Sequence, residues 1–405
     1  MALSKQFKRR VKNIIRFTQT FRSFQEFFFN LTYQCPLACK YCYIDPNLKG
    51  MTLEEVDYIM SQLSKDKFNY SRTITFFGGE PALQIDIIEY IIRKYYNEML
   101  PGANERKFRF GIITGFTVNQ ERLLKLYEEF PFEIIVSYDN PRNEQRLDRS
   151  GKPFSSYQWF EDHGVDIGQY SDNLALQKTV SGLEKSFSSD IEELMMIKRK
   201  HNINYCWAHN RTPYEGLDYA KLTNEYKAVI NMHLDTLLDN ADTYIPKILA
   251  TEFLAIINHD MGNCGGCGLM TELFISSGAR VFPCSISNSV LERFELSDED
   301  NTEYISDAES CYLANDTCES CSTKYFCNGG CLVTRYTKNQ EFYTPDSNWC
   351  QYIKAIEEAY YKALSKYTEE EMIQLTTLVT SWKIGFYHQC TSPVNNHNIL
   401  GGTVV

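Results

Sequence analysis

CPLACKYC, residues 35–42, places three cysteines (Cys35, Cys39 and Cys42) at the spacing C-x3-C-x2-C, with Tyr41 directly before the last. Thiolate sulfur is a soft ligand and favours iron–sulfur clusters or zinc over hard cations. Three thiolates on one short loop can hold three irons of a cubane cluster and leave the fourth iron without a protein ligand. An open iron is a place to bind and reduce a small molecule. The structural alternatives are a zinc knuckle or thiols packed in a core. A closed zinc site needs a fourth ligand, and no further Cys or His lies near in sequence.

Outward from this stretch, strand and helix patterns alternate. Glu26 to Thr32 (EFFFNLT) reads as a buried strand that ends at the cysteine loop. Leu53 to Leu63 reads as a helix, with Thr52 as its cap and Glu55 in the capping-box position. The runs at 73–77, 108–113, 132–136, 174–180 and 203–207 read as strands, and those at 85–96, 119–130, 189–201 and 217–238 as helices. Repeated βα units imply a parallel sheet with right-handed crossovers. Six such units are fewer than the eight of a closed barrel. In parallel α/β sheets the ligand site lies at the carboxyl ends of the strands, which is where the cysteine loop and the following Gly78-Gly79-Glu80-Pro81 fall. The long 140–172 connection contains an aromatic stretch, 154–163, that reads as a short helix ending at Gly164, either packed locally or contacting substrate.

The chain has 405 residues, enough for one large core or two unequal ones, with the composition of a soluble globular protein. A net charge of −11 argues against a general nucleic-acid surface. Fourteen cysteines are too few for a secreted disulfide scaffold of this size. They are also clustered, which suits metal binding and a reducing cytoplasm. No secretory signal and no membrane span are expected. Residues 5–23 read as a basic helix, with Phe7, Val11, Ile14 and Phe21 on one side. It reads as a cap over the bottom of a barrel, or as a docking helix for an acidic leader peptide or a membrane surface. Beyond about residue 250 the sequence turns loop-rich, with dense cysteines from Cys264 to Cys350. Small, poorly cored segments of this kind often need metals to fold. Residues 351–380 look helical again.

C-x3-C-x-aromatic-C is the cluster motif of the radical S-adenosylmethionine (SAM) enzymes, and Cys35, Cys39 and Cys42 resemble it without departure. That resemblance implies an α/β fold, a partial (β/α)6 barrel. It implies that Gly78, Gly79, Glu80 and Pro81 form the loop that holds the SAM amino group. Glycine allows close backbone approach, and a carboxylate pairs with an ammonium by charge-assisted hydrogen bonds. Two weaker matches follow. Thr114-Gly115-Phe116-Thr117 stands where relatives carry Thr-Asn-Gly-Thr, without the Asn. Ser137, Asp139 and the Pro141 beyond them resemble a Ser-x-Asp-Gly-Pro segment, and Arg149 stands where relatives pair an arginine with the SAM carboxylate. Arg142 and Arg146 compete for that role, and a surface arginine is the plain alternative.

The cysteine-rich end resembles the SPASM extension of peptide-modifying radical SAM enzymes. Cys318, Cys321, Cys327, Cys331 and Cys350 match the second half of its pattern, and Cys267 and Cys284 the first. One extra residue separates Gly278 from Cys284. Cys264 supplies an eighth ligand. The resemblance assigns one auxiliary cluster to Cys264, Cys267, Cys284 and Cys331, and the other to Cys318, Cys321, Cys327 and Cys350. Two four-cysteine zinc sites are the alternative. Cys206, Cys311 and Cys390 are left over, and Cys206 reads as core.

The resemblance implies SAM and three [4Fe–4S] clusters as cofactors. Electron transfer to SAM gives a 5′-deoxyadenosyl radical, which abstracts hydrogen from a substrate. The domain plan is a basic helix at 1–25, the barrel at 26–240, the SPASM domain at 250–355, and a helix and tail at 356–405. The substrate reading is a ribosomally made precursor peptide that receives a thioether or carbon–carbon crosslink. Expected partners are a reductant such as flavodoxin or ferredoxin and a separate leader-binding protein, since few residues precede the first strand. A formylglycine-forming sulfatase maturase or other SPASM dehydrogenase is the enzymatic alternative. Ser285 follows Cys284 where maturases place an aspartate. The alternative of another class is a non-catalytic, metal-stabilised binding protein.

Overall fold

β1 (Glu26–Thr32) is buried along its length except at Glu26, as a strand covered on both faces must be. It belongs to a computed structural model that describes residues 3–20, 25–68, 70–210, 216–239, 244–258, 272–282, 284, 316–327, 330–339 and 344–391. Two compact units result, each assembled from separate stretches of chain. The first comprises Met1–Ser137, Leu147–Trp159 and Gly268–Ser306, and the second Tyr138–Arg146, Phe160–Cys267 and Asp307–Val405.

In the first unit β1 pairs in parallel with β2 (Arg72–Gly78), β2 with β3 (Phe108–Thr114), and β3 with β4 (Glu133–Tyr138). The crossovers are α2 (Leu53–Lys65), α3 (Ile85–Tyr95) and α4 (Gln120–Glu129). All of these elements fall where the hydrophobic periodicity puts them. α2 carries the complete capping box, with Thr52 accepting from Glu55 N–H and Glu55 from Thr52 N–H.

One addition was not legible as such. Residues 272–282, taken in sequence as part of the loop-rich end, form β7 (Glu272–Ser276) and β8 (Arg280–Phe282). β7 lies parallel to β1 on the side away from β2, and β8 returns antiparallel to it. The edge of β1 is thereby covered, which removes a row of unpaired backbone groups.

α1 (Lys5–Thr20) buries Phe7, Val11, Ile14 and Thr18. It runs alongside α2, where Phe7 packs edge-on against Tyr58 and Gln19 donates to Asp66. It therefore covers α2 and also reaches the turn between β7 and β8, where Arg10 Nη1 donates to Gly278 O at 3.3 Å. Its apolar face is taken up by this packing, while Lys5, Lys8, Arg9, Lys12 and Arg16 stay exposed. α5 (Ser156–Asp162) spans the passage from the first unit into the second.

In the second unit β5 (Leu174–Val180) and β6 (Asn204–His209) pair in parallel through α6 (Phe187–His201). α7 (Tyr219–Leu238) and α8 (Lys247–Asn258) follow. The region expected to be one helical stretch is two helices, Ser347–Leu364 and Glu369–Thr391. Thr368 caps the second, accepting from Glu371 N–H while the Glu371 side chain accepts from Thr368 N–H. No helix among the described residues is long and apolar enough to cross a membrane.

Candidate cofactor and metal site

β1 delivers the chain at Thr32 into the loop that carries Cys35, Cys39 and Cys42. Cys35 and Cys39 are half-buried and Cys42 is exposed, all as thiols and not disulfides. Hydrogen bonds fix the loop from two sides. Ala38 N–H donates to Leu147 O at 2.7 Å and Arg149 Nε to Cys35 O at 2.9 Å. Gly79 N–H donates to Thr32 O at 2.7 Å and Glu80 N–H to Gln34 O at 2.9 Å. Leu37 N–H points at Cys35 Sγ at 3.4 Å.

The glycine pair is required by this geometry before any ligand is considered. A Cβ at Gly78, whose φ is +131°, would lie 2.0 Å from Thr32 O. One at Gly79 would lie 2.4 Å from Gln34 O. Gly50, at the far end of the loop, is equally constrained, since its Cβ would meet Leu31 O at 2.2 Å. A lone loop glycine has no sequence pattern that reveals this, and it was passed over.

Glu80 is fully buried. Its Oε1 accepts from Thr114 Oγ1 at 2.6 Å and Ala82 N–H at 3.1 Å, and its Oε2 from Thr117 Oγ1 at 3.1 Å. Pro81 opens the short 3-10 turn that Glu80 caps, a position that needs no N–H. The Thr114–Thr117 turn thus orients the carboxylate despite its departure from the expected pattern. Phe116 takes a left-handed φ of 56° there. That costs about 1–2 kcal/mol for a non-glycine residue, and it is held by burial against the Trp159 ring at 5.2 Å.

Among the three candidate arginines, Arg149 is the one tied to the cysteine loop. Arg142 and Arg149 are both exposed, and Arg146 is buried with its Nη1 at 3.8 Å from Asp139 Oδ2. The Ser137 carbonyl accepts from Ser156 Oγ at 2.8 Å. Asp139 lies in the second unit, in a buried ionic cluster that sequence reading missed. Lys178 bonds Asp139 and meets Glu184 at 3.2 Å and Asp190 at 3.3 Å. Burial opposes the charge on Lys178, but the three carboxylates more than offset it and its pKa rises. Burial also pushes the Asp190 carboxyl up to about 7.

The second unit assembles four of the C-terminal cysteines. The short helices Asp316–Glu319 and Lys324–Cys327 carry Cys318 and Cys327, Cys321 lies between them, and Cys350 sits in the first turn of Ser347–Leu364. Burial, then the neighbouring Cys350, push the Cys327 thiol up to about 12. Cys350 is raised by burial and by Cys318 and Cys321. Cys350 therefore lies within electrostatic reach of Cys318, Cys321 and Cys327. Arg335, itself buried, donates from Nη2 to Cys318 Sγ at 3.2 Å. Cys331 and Cys284 are half-buried, and Cys284 falls in the first unit. Cys264, Cys267, Ser285 and Cys311 lie outside the described residues, as does the side chain of Cys390. Cys206 is half-buried on β6.

Among the described residues, no three Cys, His, Asp or Glu side chains converge as ligands of a single ion do. In a cubane each thiolate binds a different iron, so its thiols surround the group and do not meet at a point. A donor set of soft thiols alone fits an iron–sulfur cluster and a four-thiolate zinc site alike.

Residues 29–162 match the family model of the radical SAM superfamily. The chain is 24% identical over 135 residues to the radical SAM cyclopropyl synthase TigE of Paramaledivibacter caminithermalis, which is 29% of this chain and 28% of TigE. The chain spans about half the length of the curated relatives it matches, or less. Among solved structures, native anSMEcpe with bound AdoMet superposes with a TM-score of 0.65 at 16% identity, over 88% of this chain and 99% of that one. Streptococcus suis SuiB bound to its precursor peptide SuiA gives 0.57 at 16% identity, over 84% and 79%. At these identities the likeness is one of fold, an α/β architecture with a parallel sheet.

Proposed function

We propose that this chain is a radical SAM enzyme. It binds SAM at a [4Fe–4S] cluster held by Cys35, Cys39 and Cys42, and it installs a thioether or carbon–carbon crosslink in a ribosomally made peptide. The observation that carries the reading is the direct backbone joining of the Gly78-Gly79-Glu80 turn to the cysteine loop, with the buried Glu80 carboxylate aimed by two threonines. When bound, the cluster supplies the electron for reductive cleavage of SAM. The chain's own groups do the binding and orienting. Glu80 takes the methionine ammonium, with Thr114 and Thr117 holding its oxygens and Pro81 shaping the turn. Gly78 and Gly79 let the backbones meet. Arg149 stands ready for the methionine carboxylate. Ser137 and Asp139 at the end of β4 would complete the SAM site, with Asp139 held by Lys178.

The domain division 26–240 and 250–355 and the SPASM assignment belong to the same reading. Cys264, Cys267, Cys284 and Cys331 would hold one auxiliary cluster, and Cys318, Cys321, Cys327 and Cys350 the other. A peptide substrate is supported by the fold-level likeness to SuiB, solved with its precursor peptide. A flavodoxin or ferredoxin as reductant, a separate leader-binding protein and a cytoplasmic location complete it.

Anaerobically reconstituted protein is expected to hold about twelve irons, and the triple Cys35, Cys39, Cys42→Ala variant about eight. Stoichiometric zinc without labile sulfide in the latter would overturn the auxiliary assignment. With its true peptide, tandem mass spectrometry is expected to show a new covalent link. An aldehyde trapped by a hydrazine would instead make it a formylglycine-forming enzyme.

A further inference from the structure

Arg335 is one of the largest fully enclosed side chains of the protein. Its Nη2 donates to Cys318 Sγ at 3.2 Å, within normal reach for a sulfur acceptor. Its charge also reaches Cys327 and Cys350. One guanidinium therefore bonds one of the four thiols that the proposed function assigns to the second auxiliary cluster and lies within electrostatic reach of two more. Burying a cation costs several kcal/mol unless an opposite charge compensates it. A neutral thiol is a weak acceptor and a poor counter-charge. A sulfur that carries thiolate charge is a good one. A metal-bound Cys318 thiolate is a stronger acceptor for this bond than a neutral thiol.

We propose that Arg335 sets the reduction potential of the iron–sulfur cluster held by Cys318, Cys321, Cys327 and Cys350, acting through its hydrogen bond to Cys318 sulfur. This rests on the auxiliary-cluster reading above. The charge balance fixes the direction. Four thiolates around a [4Fe–4S] core leave a net negative site, and one-electron reduction makes it more negative. A buried cation stabilises the reduced form and raises the potential, as hydrogen bonds to cluster sulfur and net charge both do. Arg335 is a positioning and tuning residue and touches no substrate.

The test is an EPR-monitored redox titration of the full chain in the Cys35, Cys39, Cys42→Ala background. The signal of interest is the one lost on Cys350→Ala. Arg335→Gln keeps a donor and removes the charge. At a poise that half-reduces this cluster in the parent, the reduced-to-oxidised ratio is expected to fall at least tenfold, about 59 mV for one electron. Arg335→Lys, which keeps the charge, is expected to lie between. Independently of any variant, labelling the parent with guanidino-15N arginine is expected to add a 15N hyperfine coupling to that signal. A loaded cluster with an unchanged ratio in Arg335→Gln, or no 15N coupling in the parent, overturns the inference and leaves the auxiliary cluster standing. If Cys350→Ala removes no iron, the cluster assignment fails, and the inference with it.

Discussion

At the scale of single residues, the site turns on Glu80. Its carboxylate is already aimed by Thr114, Thr117 and the Ala82 N–H. Loss of a charge-assisted hydrogen bond costs about 1.5–3 kcal/mol. Glu80→Ala is therefore expected to weaken SAM binding by roughly ten- to a hundredfold, measured by equilibrium dialysis. Thr114→Val should weaken it less, because the charge remains and only its aim is lost. Gly79→Ala acts differently. Its Cβ would press on Gln34 O, one residue before Cys35, so the expected loss is iron from the first cluster as well as SAM affinity. SAM binding unchanged in Glu80→Ala would show that this loop serves another purpose.

At the scale of elements, one carboxylate joins a helix end to a hairpin. Glu55 accepts from Thr52 N–H at 3.0 Å within the capping box and from Gly278 N–H at 2.8 Å in the turn between β7 and β8. Thr52→Ala removes one cap bond and should cost about 1 kcal/mol. Glu55→Ala leaves both backbone donors without this acceptor and should cost more, about 2–3 kcal/mol. Urea unfolding of the apo chain measures both. Equal losses would mean that the tie to Gly278 contributes nothing. The capping box is legible because its members are three residues apart. The tie spans 223 residues and has no local signature.

At the scale of the whole molecule, charge balance in the buried second-unit cluster makes stability depend on pH. Lys178 and Arg146 face Asp139, Glu184 and Asp190, so two cations meet three acids. Burial lifts Asp190 from its ordinary range to about 7. For an acid with a raised folded-state pKa, the stabilising form is the protonated one. Its contribution is full below the unfolded value and is lost as pH rises through about 7. Asp190→Asn holds that position neutral and can still accept from Asn143. The variant is expected to gain on the parent in thermal midpoint between about pH 5 and pH 8. Asp139→Asn, which strips Lys178 of its closest partner, is expected to lower the midpoint at both. A constant difference between Asp190→Asn and the parent across that range would remove Asp190 as the titrating group.

The sequence by itself determined the alternation of strands and helices around β1, because periodicity and caps are local properties of neighbouring residues. It also supplied the candidate ligands, since Cys35, Cys39, Cys42 and Gly78 to Pro81 resemble the motifs of the radical SAM enzymes. Only the tertiary structure decided that β7 completes the sheet beside β1, that Gly50 must be glycine, and that Asp139 is committed to Lys178. It likewise decided that Arg335 faces Cys318. Each of these is a meeting of groups far apart in the chain. The energy that selects such meetings is the cost of burying a backbone donor, a carboxylate or a guanidinium without a partner. That cost arises only when folding takes both groups out of water.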